Sequence, residues 1–319
     1  MPSATTRTGG KSIESALTGR RVLVTGAGGF IGSRLSRALQ RAGADVHGVS
    51  RRTEAGTGIR GWRADLAEPE AATRILQSVR PDLVFHLASH VSGDRALDAV
   101  LPTVRDNLLS TVNVLTAACE AGGPRVVVAG SMEECDAVGS DAVPGSPYAA
   151  AKSAASGYGR MFHALYGLPV VSLRVFMVYG PGQRDATKLI PYVATSLLRG
   201  EPPQLSSGNR EVDWVYVDDV VDAFLAAATE EAAAGTTIDV GSGELTTIRS
   251  VVERLTRLVG SDARPVFGAL EDRPLERRRV ADVARARKLI GWEPSTSLDE
   301  GLVETVLWFR ARQDERRRT

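Results

Sequence analysis

A tyrosine and a lysine stand four positions apart in "SPYAAAK", residues 146–152. Ser146 can cap a helix and Pro147 suits its first position, so Tyr148 and Lys152 are expected one turn apart on one face. A free tyrosine titrates near pH ~10 and is a poor acid–base catalyst at neutral pH. A nearby ammonium group favours the phenolate. The pair still needs a hydroxyl to hold a substrate oxygen. Ser131, which closes the apolar run "RVVVAGS", is placed to supply it. The expected division is proton transfer by Tyr148, electrostatic tuning by Lys152 and oxygen positioning by Ser131.

The second chemistry-bearing stretch is "VTGAGGFIG", with Gly26, Gly29 and Gly32 between an apolar run and a helical pattern. Glycine there lets backbone N–H groups approach a pyrophosphate, and the helix N-terminus faces the anion. The end of the next strand decides which dinucleotide fits. An acid there would bind the ribose 2′-hydroxyl of NAD. This chain has Ser50, Arg51 and Arg52 instead, and arginine can clasp a 2′-phosphate bidentately. NADP(H) is therefore favoured over NAD(H), against the alternative of a solvated basic turn. Asp65, in "RADLAE", reads either as a partner of the adenine amino group or as a helix cap.

These residues need a scaffold that places them together. "RVLVT" (21–25), "DVHGVS" (45–50), "PDLVFHLAS" (81–89), "RVVVAGS" (125–131) and "PVVSLRVFMVYG" (169–180) read as strands. Helical patterns over 30–43, 107–122 and 148–167 alternate with them. This predicts an α/β fold, a doubly wound parallel sheet of Rossmann type with helices on both faces. The texture changes after Gly180. The expected organisation is a leader at 1–19, a dinucleotide-binding domain at 20–180 re-entered near 212–240, a smaller C-terminal α/β substrate lobe at 181–211 and 241–312, and a basic tail at 313–319.

Composition narrows the function classes. The net charge of +1 on 319 residues gives no electrostatic case for nucleic acid or an anionic membrane. No run approaches the ~20 apolar residues of a membrane helix. Cys119 and Cys135 fit no metal spacing and no disulfide framework, which points to a cytoplasmic setting and no metal. His86, His90 and His163 read as structural histidines.

"TGAGGFIG", "HLAS", "NLLSTVNVL", "GSMEE", "SPYAAAK", "RVFMVYGPGQ", "VDWVYVDDVV", "GSGE" and "LIGWEPSTSLDEGL" together resemble the extended short-chain dehydrogenase/reductase family of nucleotide-sugar epimerases and dehydratases. The resemblance runs from about residue 20 to 310. It implies catalysis by Ser131, Tyr148 and Lys152, and hydride exchange with carbon 4 of a nucleotide-linked hexose. It adds Phe30, Ile31, Leu66, Leu87, Ala88, Ser89 and Asn107 to the expected cofactor contacts. His90, Met132, Met177, Gln183 and Lys188 become expected substrate contacts. Two departures from the family pattern stand out. Met177 replaces a common Asn, and "EVDW" replaces "RDF"; Arg210, Arg273 or Arg278 could take over the diphosphate. In the resembling dehydratases a Glu two positions after the Ser/Thr acts as base at sugar carbon 5. Glu133 has that place, and it reads equally as a structural carboxylate.

The favoured reaction is NADPH-dependent reduction of a nucleotide-linked 4-keto-6-deoxyhexose. The alternatives are a cofactor-retaining 4-epimerase or 4,6-dehydratase and, from another class, a non-catalytic dinucleotide-binding regulator. The resemblance also implies a homodimer through helices 107–122 and 148–167.

Overall fold

The computed structural model describes residues 7–8, 11–51, 58–135 and 142–318. Ten strands carry the two sheets that matter here: β1 (Arg21–Thr25), β2 (Asp45–Ser50), β3 (Arg60–Arg63), β4 (Leu83–His86), β5 (Arg125–Ser131), β6 (Val170–Val175), β7 (Met177–Tyr179), β8 (Glu211–Tyr216), β9 (Thr237–Val240) and β10 (Leu245–Thr247). The chain divides into two compact units. The first comprises residues 1–175, 221–240 and 284–293; the second comprises 176–220, 241–283 and 294–319.

The first unit is built on a seven-stranded, wholly parallel sheet in the order β9-β6-β5-β4-β1-β2-β3. This is the expected Rossmann arrangement, winding outward in both directions from β1 and β4. Val22, Leu23 and Val24 are sealed from solvent, as are Val84, Phe85, Val126 and Val127. Strands covered on both faces have no polar side, which is why these runs show no alternation. Helices α1 (Phe30–Arg41), α2 (Pro69–Val79), α3 (Ser110–Glu120) and α4 (Pro147–Tyr166) accompany the sheet.

Two local differences from the sequence reading bear on the site. The run read as one strand at 169–180 breaks at Phe176. Val170–Val175 pairs with β5 and β9, whereas Met177–Tyr179 pairs with β8. The helix read from 107 starts inside a π turn, Val104–Leu109, in which Asn107 is buried, and becomes α-helical only at Ser110.

The second unit carries the three-stranded sheet β10-β8-β7. Its core gathers Tyr179, Trp214, Tyr216, Val251, Leu255 and Leu302. Asp213 is fully buried there. Its carboxylate accepts bonds from Ser242 N, Ser242 Oγ, Gly243 N and Ala281 N, all within 3.0 Å. Four donors on one carboxylate offset the cost of burying it.

Candidate active site

The candidate catalytic residues lie at the end of β5 and in the first turns of α4. Ser146 caps α4, accepting the Ala149 N–H at 3.1 Å, and Pro147 opens the helix; Gly167 ends it in the left-handed conformation. Tyr148 and Lys152 then share a face, with the Lys152 Nζ 5.8 Å from the centroid of the tyrosine ring. Both side chains are buried. Burial pushes the Tyr148 phenol above its ordinary range, and the charges of Glu133 and Glu134 act in the same sense; hydrogen bonds with Ser131 and Ser89 oppose the rise. Burial pulls Lys152 down to about 8, with Glu134 opposing. Its Nζ donates to the Ala129 carbonyl at 2.8 Å. In the protein alone, burial therefore dominates the tyrosine.

Ser131 is held by its neighbours. Its N–H donates to Glu134 Oε1 at 2.7 Å, and its Oγ accepts the Glu133 N–H at 3.2 Å. The carboxylate that binds this backbone is Glu134, which the sequence reading does not single out. At 1% exposure it also accepts from Ser156 Oγ at 2.8 Å and lies 3.5 Å from Arg174 Nε. Gly130 carries no side chain because a Cβ there would collide with Glu134 Oε1. Glu133 is half-buried and accepts from Ser146 Oγ at 3.4 Å. The signal for Glu134 was its place three residues after Ser131, the reach of a carboxylate folding back on a strand end.

Asn107 closes the other side. Its Oδ1 accepts from Ser89 Oγ at 2.8 Å and from the His90 N–H at 2.7 Å, while Nδ2 donates to the His90 carbonyl at 3.0 Å. Ser89 thus joins Asn107 to the tyrosine oxygen. A buried chain supports this segment. Thr25 Oγ1 accepts the N–H groups of Leu87 and Ala88 and so gives its own hydrogen to His86 Nδ1, 2.9 Å away. His86 Nε2 then donates to Thr111 Oγ1 at 3.1 Å, which donates to the Asn107 carbonyl. Burial holds His86 neutral, down to about 3, with the Lys152 charge acting in the same direction.

The glycine loop lies at the β1 end, where Thr25 is aligned with both Val49 and His86. Gly26 has φ +69°, and its N–H donates to the Val49 carbonyl at 2.9 Å. A Cβ on Gly26 would lie 2.9 Å from Ala88 N, and one on Gly32 would strike the Gly26 carbonyl. Gly29 caps α1 without any side-chain bond, leaving the helix N-terminus to backbone groups alone, with Phe30 and Ile31 in its first turn. These features fit a dinucleotide diphosphate. Leu66 is buried and its carbonyl accepts from Asn113 Nδ2 at 3.0 Å. Asp65 Oδ1 accepts the Ala67 N–H at 3.0 Å and Oδ2 meets Arg105 Nη2 at 2.7 Å; it does not cap α2, whose N-cap is Glu68, without a side-chain bond. Burial alone would raise its carboxyl; the Ala67 N–H and the Arg105 guanidinium outweigh it and hold the group below its usual range. Ser50 ends β2, Arg51 pairs with Asp106, and Arg52 lies outside the described residues.

Among the remaining expected contacts, Met132 is buried, with its N–H donating to the Val175 carbonyl at 3.0 Å; the His90 side chain is exposed. In the second unit, Met177 aligns with Trp214, Gln183 Nε2 donates to the Val178 carbonyl at 3.3 Å, and Lys188 precedes the helix Leu189–Leu198. Arg210 pairs with Glu276 at 3.0 Å, Arg278 pairs with Glu211, and Arg273 is exposed. The three arginines are thus not drawn into one cluster by shared partners. Among the described residues no group of three or more His, Cys, Asp or Glu side chains is arranged to hold a metal ion, and no helix is long and apolar enough to cross a membrane.

The model of the NAD dependent epimerase/dehydratase family matches residues 22–241. The chain is similar to the UDP-glucose 4-epimerase of Mycolicibacterium smegmatis, with 33% identity over 91% of this chain and 98% of that relative. It is also similar to the dTDP-glucose 4,6-dehydratase of Xanthomonas campestris, at 28% identity over 91% of this chain and 93% of that one. Among solved structures, the UDP-glucose 4-epimerase of Thermus thermophilus in complex with NAD superposes with a TM-score of 0.81, at 30% identity over 91% of this chain and 99% of that one.

Proposed function

The chain belongs to the NAD dependent epimerase/dehydratase family, and on that premise we propose that it is a nicotinamide-dinucleotide enzyme acting at carbon 4 of a nucleotide-linked hexose. The dinucleotide supplies hydride exchange when bound. The observation that carries the reading is a buried phenol at Tyr148 beside the Ser131 and Ser89 hydroxyls, with Lys152 on the same helix face. Tyr148 donates a proton to, or takes one from, the oxygen on carbon 4. Ser131 holds that oxygen, its own orientation set by Glu133 N–H and Glu134. Lys152 keeps a positive charge one turn away and anchors to Ala129. Burial raises the Tyr148 phenol, so action as a base would need a lowering contribution, which the positive charge of an oxidised nicotinamide would supply when bound.

The favoured net reaction is reduction of a nucleotide-linked 4-keto-6-deoxyhexose by NADPH. The acid-free end of β2, Ser50-Arg51, supports the phosphorylated dinucleotide. The second reading is a cofactor-retaining 4-epimerase or 4,6-dehydratase. The names of the relatives favour it, as does the half-buried Glu133, whose charge reaches the Tyr148 phenol. The second unit is the proposed sugar-nucleotide lobe. A homodimer is proposed through the helices at 107–122 and 148–167, where Leu109, Tyr158 and Leu165 are exposed. Free Cys119 and Cys135 suit a reducing, cytoplasmic setting.

One experiment separates the readings. The enzyme is incubated with a nucleotide-linked 4-keto-6-deoxyhexose plus NADPH, and separately with a nucleotide-linked hexose and no added cofactor. NADPH consumption in the first alone supports the reductase. Turnover in the second alone replaces it with the epimerase or dehydratase.

A further inference from the structure

Arg51 is the first residue past β2, where a 2′-phosphate would be met, and it is already engaged. Its Nη1 lies 2.8 Å from Asp106 Oδ2. The carboxylate is the more sheltered partner, at 15% side-chain exposure against 59% for the arginine. Asp106 comes from the π turn, next to Asn107. Its other neighbour, Arg105, does not add free positive charge. Arg105 Nη2 meets Asp65 at 2.7 Å and Glu68 at 3.0 Å, and its Nη1 lies 3.4 Å from Asp106. Among the described residues, two guanidinium groups here face three carboxylates, Asp65, Glu68 and Asp106, one more negative charge than positive.

A phosphate on the 2′-oxygen brings close to two negative charges. To be clasped by Arg51 it must share that guanidinium with the Asp106 carboxylate or displace it. An unphosphorylated ribose brings no such competition. We infer that Asp106 is a specificity-determining residue that holds back the affinity for the phosphorylated dinucleotide by occupying Arg51. The inference rests on the proposed reading of Arg51 as the phosphate clamp. It predicts a protein that uses both dinucleotides within a modest ratio, set by one ion pair rather than by an acid at the end of β2.

The test is equilibrium titration of the full chain with NADPH and with NADH, followed by nicotinamide fluorescence. The proteins are the parent, Asp106→Asn, Asp106→Ala, Arg51→Ala and the double variant Arg51→Ala/Asp106→Asn. Both Asp106 variants are expected to lower the ratio Kd(NADPH)/Kd(NADH) about two- to fivefold, the scale of one partly exposed ion pair released. The gain should vanish in the Arg51→Ala background and shrink as salt rises, since the arginine is largely exposed. An unchanged ratio, or one moved toward NADH, in Asp106→Asn and Asp106→Ala overturns the inference while Arg51→Ala still weakens NADPH. If Arg51→Ala leaves NADPH affinity unaltered, the clamp reading itself fails and the inference falls with it.

Discussion

Removing Glu134 should separate its structural work from its electrostatic work. The carboxylate is buried and accepts from Ser131 N and Ser156 Oγ at 2.7 and 2.8 Å, beside the Arg174 guanidinium. In Glu134→Ala both donors lose their acceptor, at about 1–3 kcal/mol each. Arg174 keeps Asp239 at 2.9 Å, so its charge is not stranded and adds little. The expected loss is about 2–6 kcal/mol. Glu134→Gln keeps one carbonyl oxygen and the shape, and should lose about 1–2 kcal/mol, the difference between a charged and a neutral acceptor. At roughly 2 °C per kcal/mol for a chain of this size, melting temperatures should fall by about 4–12 °C and 2–4 °C. Calorimetry reads both. Activity adds a second arm: Glu134 raises Lys152, so Gln should let the lysine fall below its value of about 8. The alkaline limb of the activity profile, if Lys152 sets it, then moves toward lower pH. A melting temperature for Glu134→Ala within about 1 °C of the parent, or equal losses in the two variants, would refute the reasoning.

Tyr148→Phe should lower kcat at least about a hundredfold, the scale of general acid–base catalysis, with dinucleotide affinity retained; full activity would revive the non-catalytic regulator. Gly26→Ala puts a Cβ at φ +69°, 2.9 Å from Ala88 N, and should abolish dinucleotide binding in a titration while lowering the melting temperature. His86 titrates near 6.5 when unfolded and at about 3 in the fold, so the unfolded chain binds more protons between these values. Stability should therefore fall as pH drops from about 6.5 toward 3, by up to about 5 kcal/mol. Chemical denaturation at about pH 7, 5 and 4 checks it, and His86→Gln should flatten the slope. A slope unchanged in that variant contradicts the assignment.

The sheet was legible because its strands are buried on both faces, and continuous apolar runs such as "RVLVT" then stand out without any alternation. Ser146-Pro147 marked the start of α4 through capping rules alone, whereas Gly167, read as part of the helix, ends it in the left-handed conformation. What sequence could not display was partnership at a distance. Asp106 is 55 positions from Arg51, and Thr25 is 61 from His86, so the local pattern carries no trace of either pair. The two adjacent glutamates differ by one position, yet one folds back onto Ser131 N and the other reaches Ser146. That choice is made by the direction of the chain leaving β5. The break at Phe176 was hidden because both halves of the run favour extended backbone equally.

The π turn at Val104–Leu109 also constrains how this gene can vary in length. A π turn accommodates one residue beyond the α-helical count. Losing one codon within it would restore ordinary pitch and leave Thr111, Val114, Leu115 and Ala118 turned inward. Losing one further along α3 would instead rotate every later side chain of the helix by about 100°, out of phase with the core. Single-codon gaps tolerated in this stretch should therefore fall inside the turn, and their cost should be the displacement of Asp106 and Asn107.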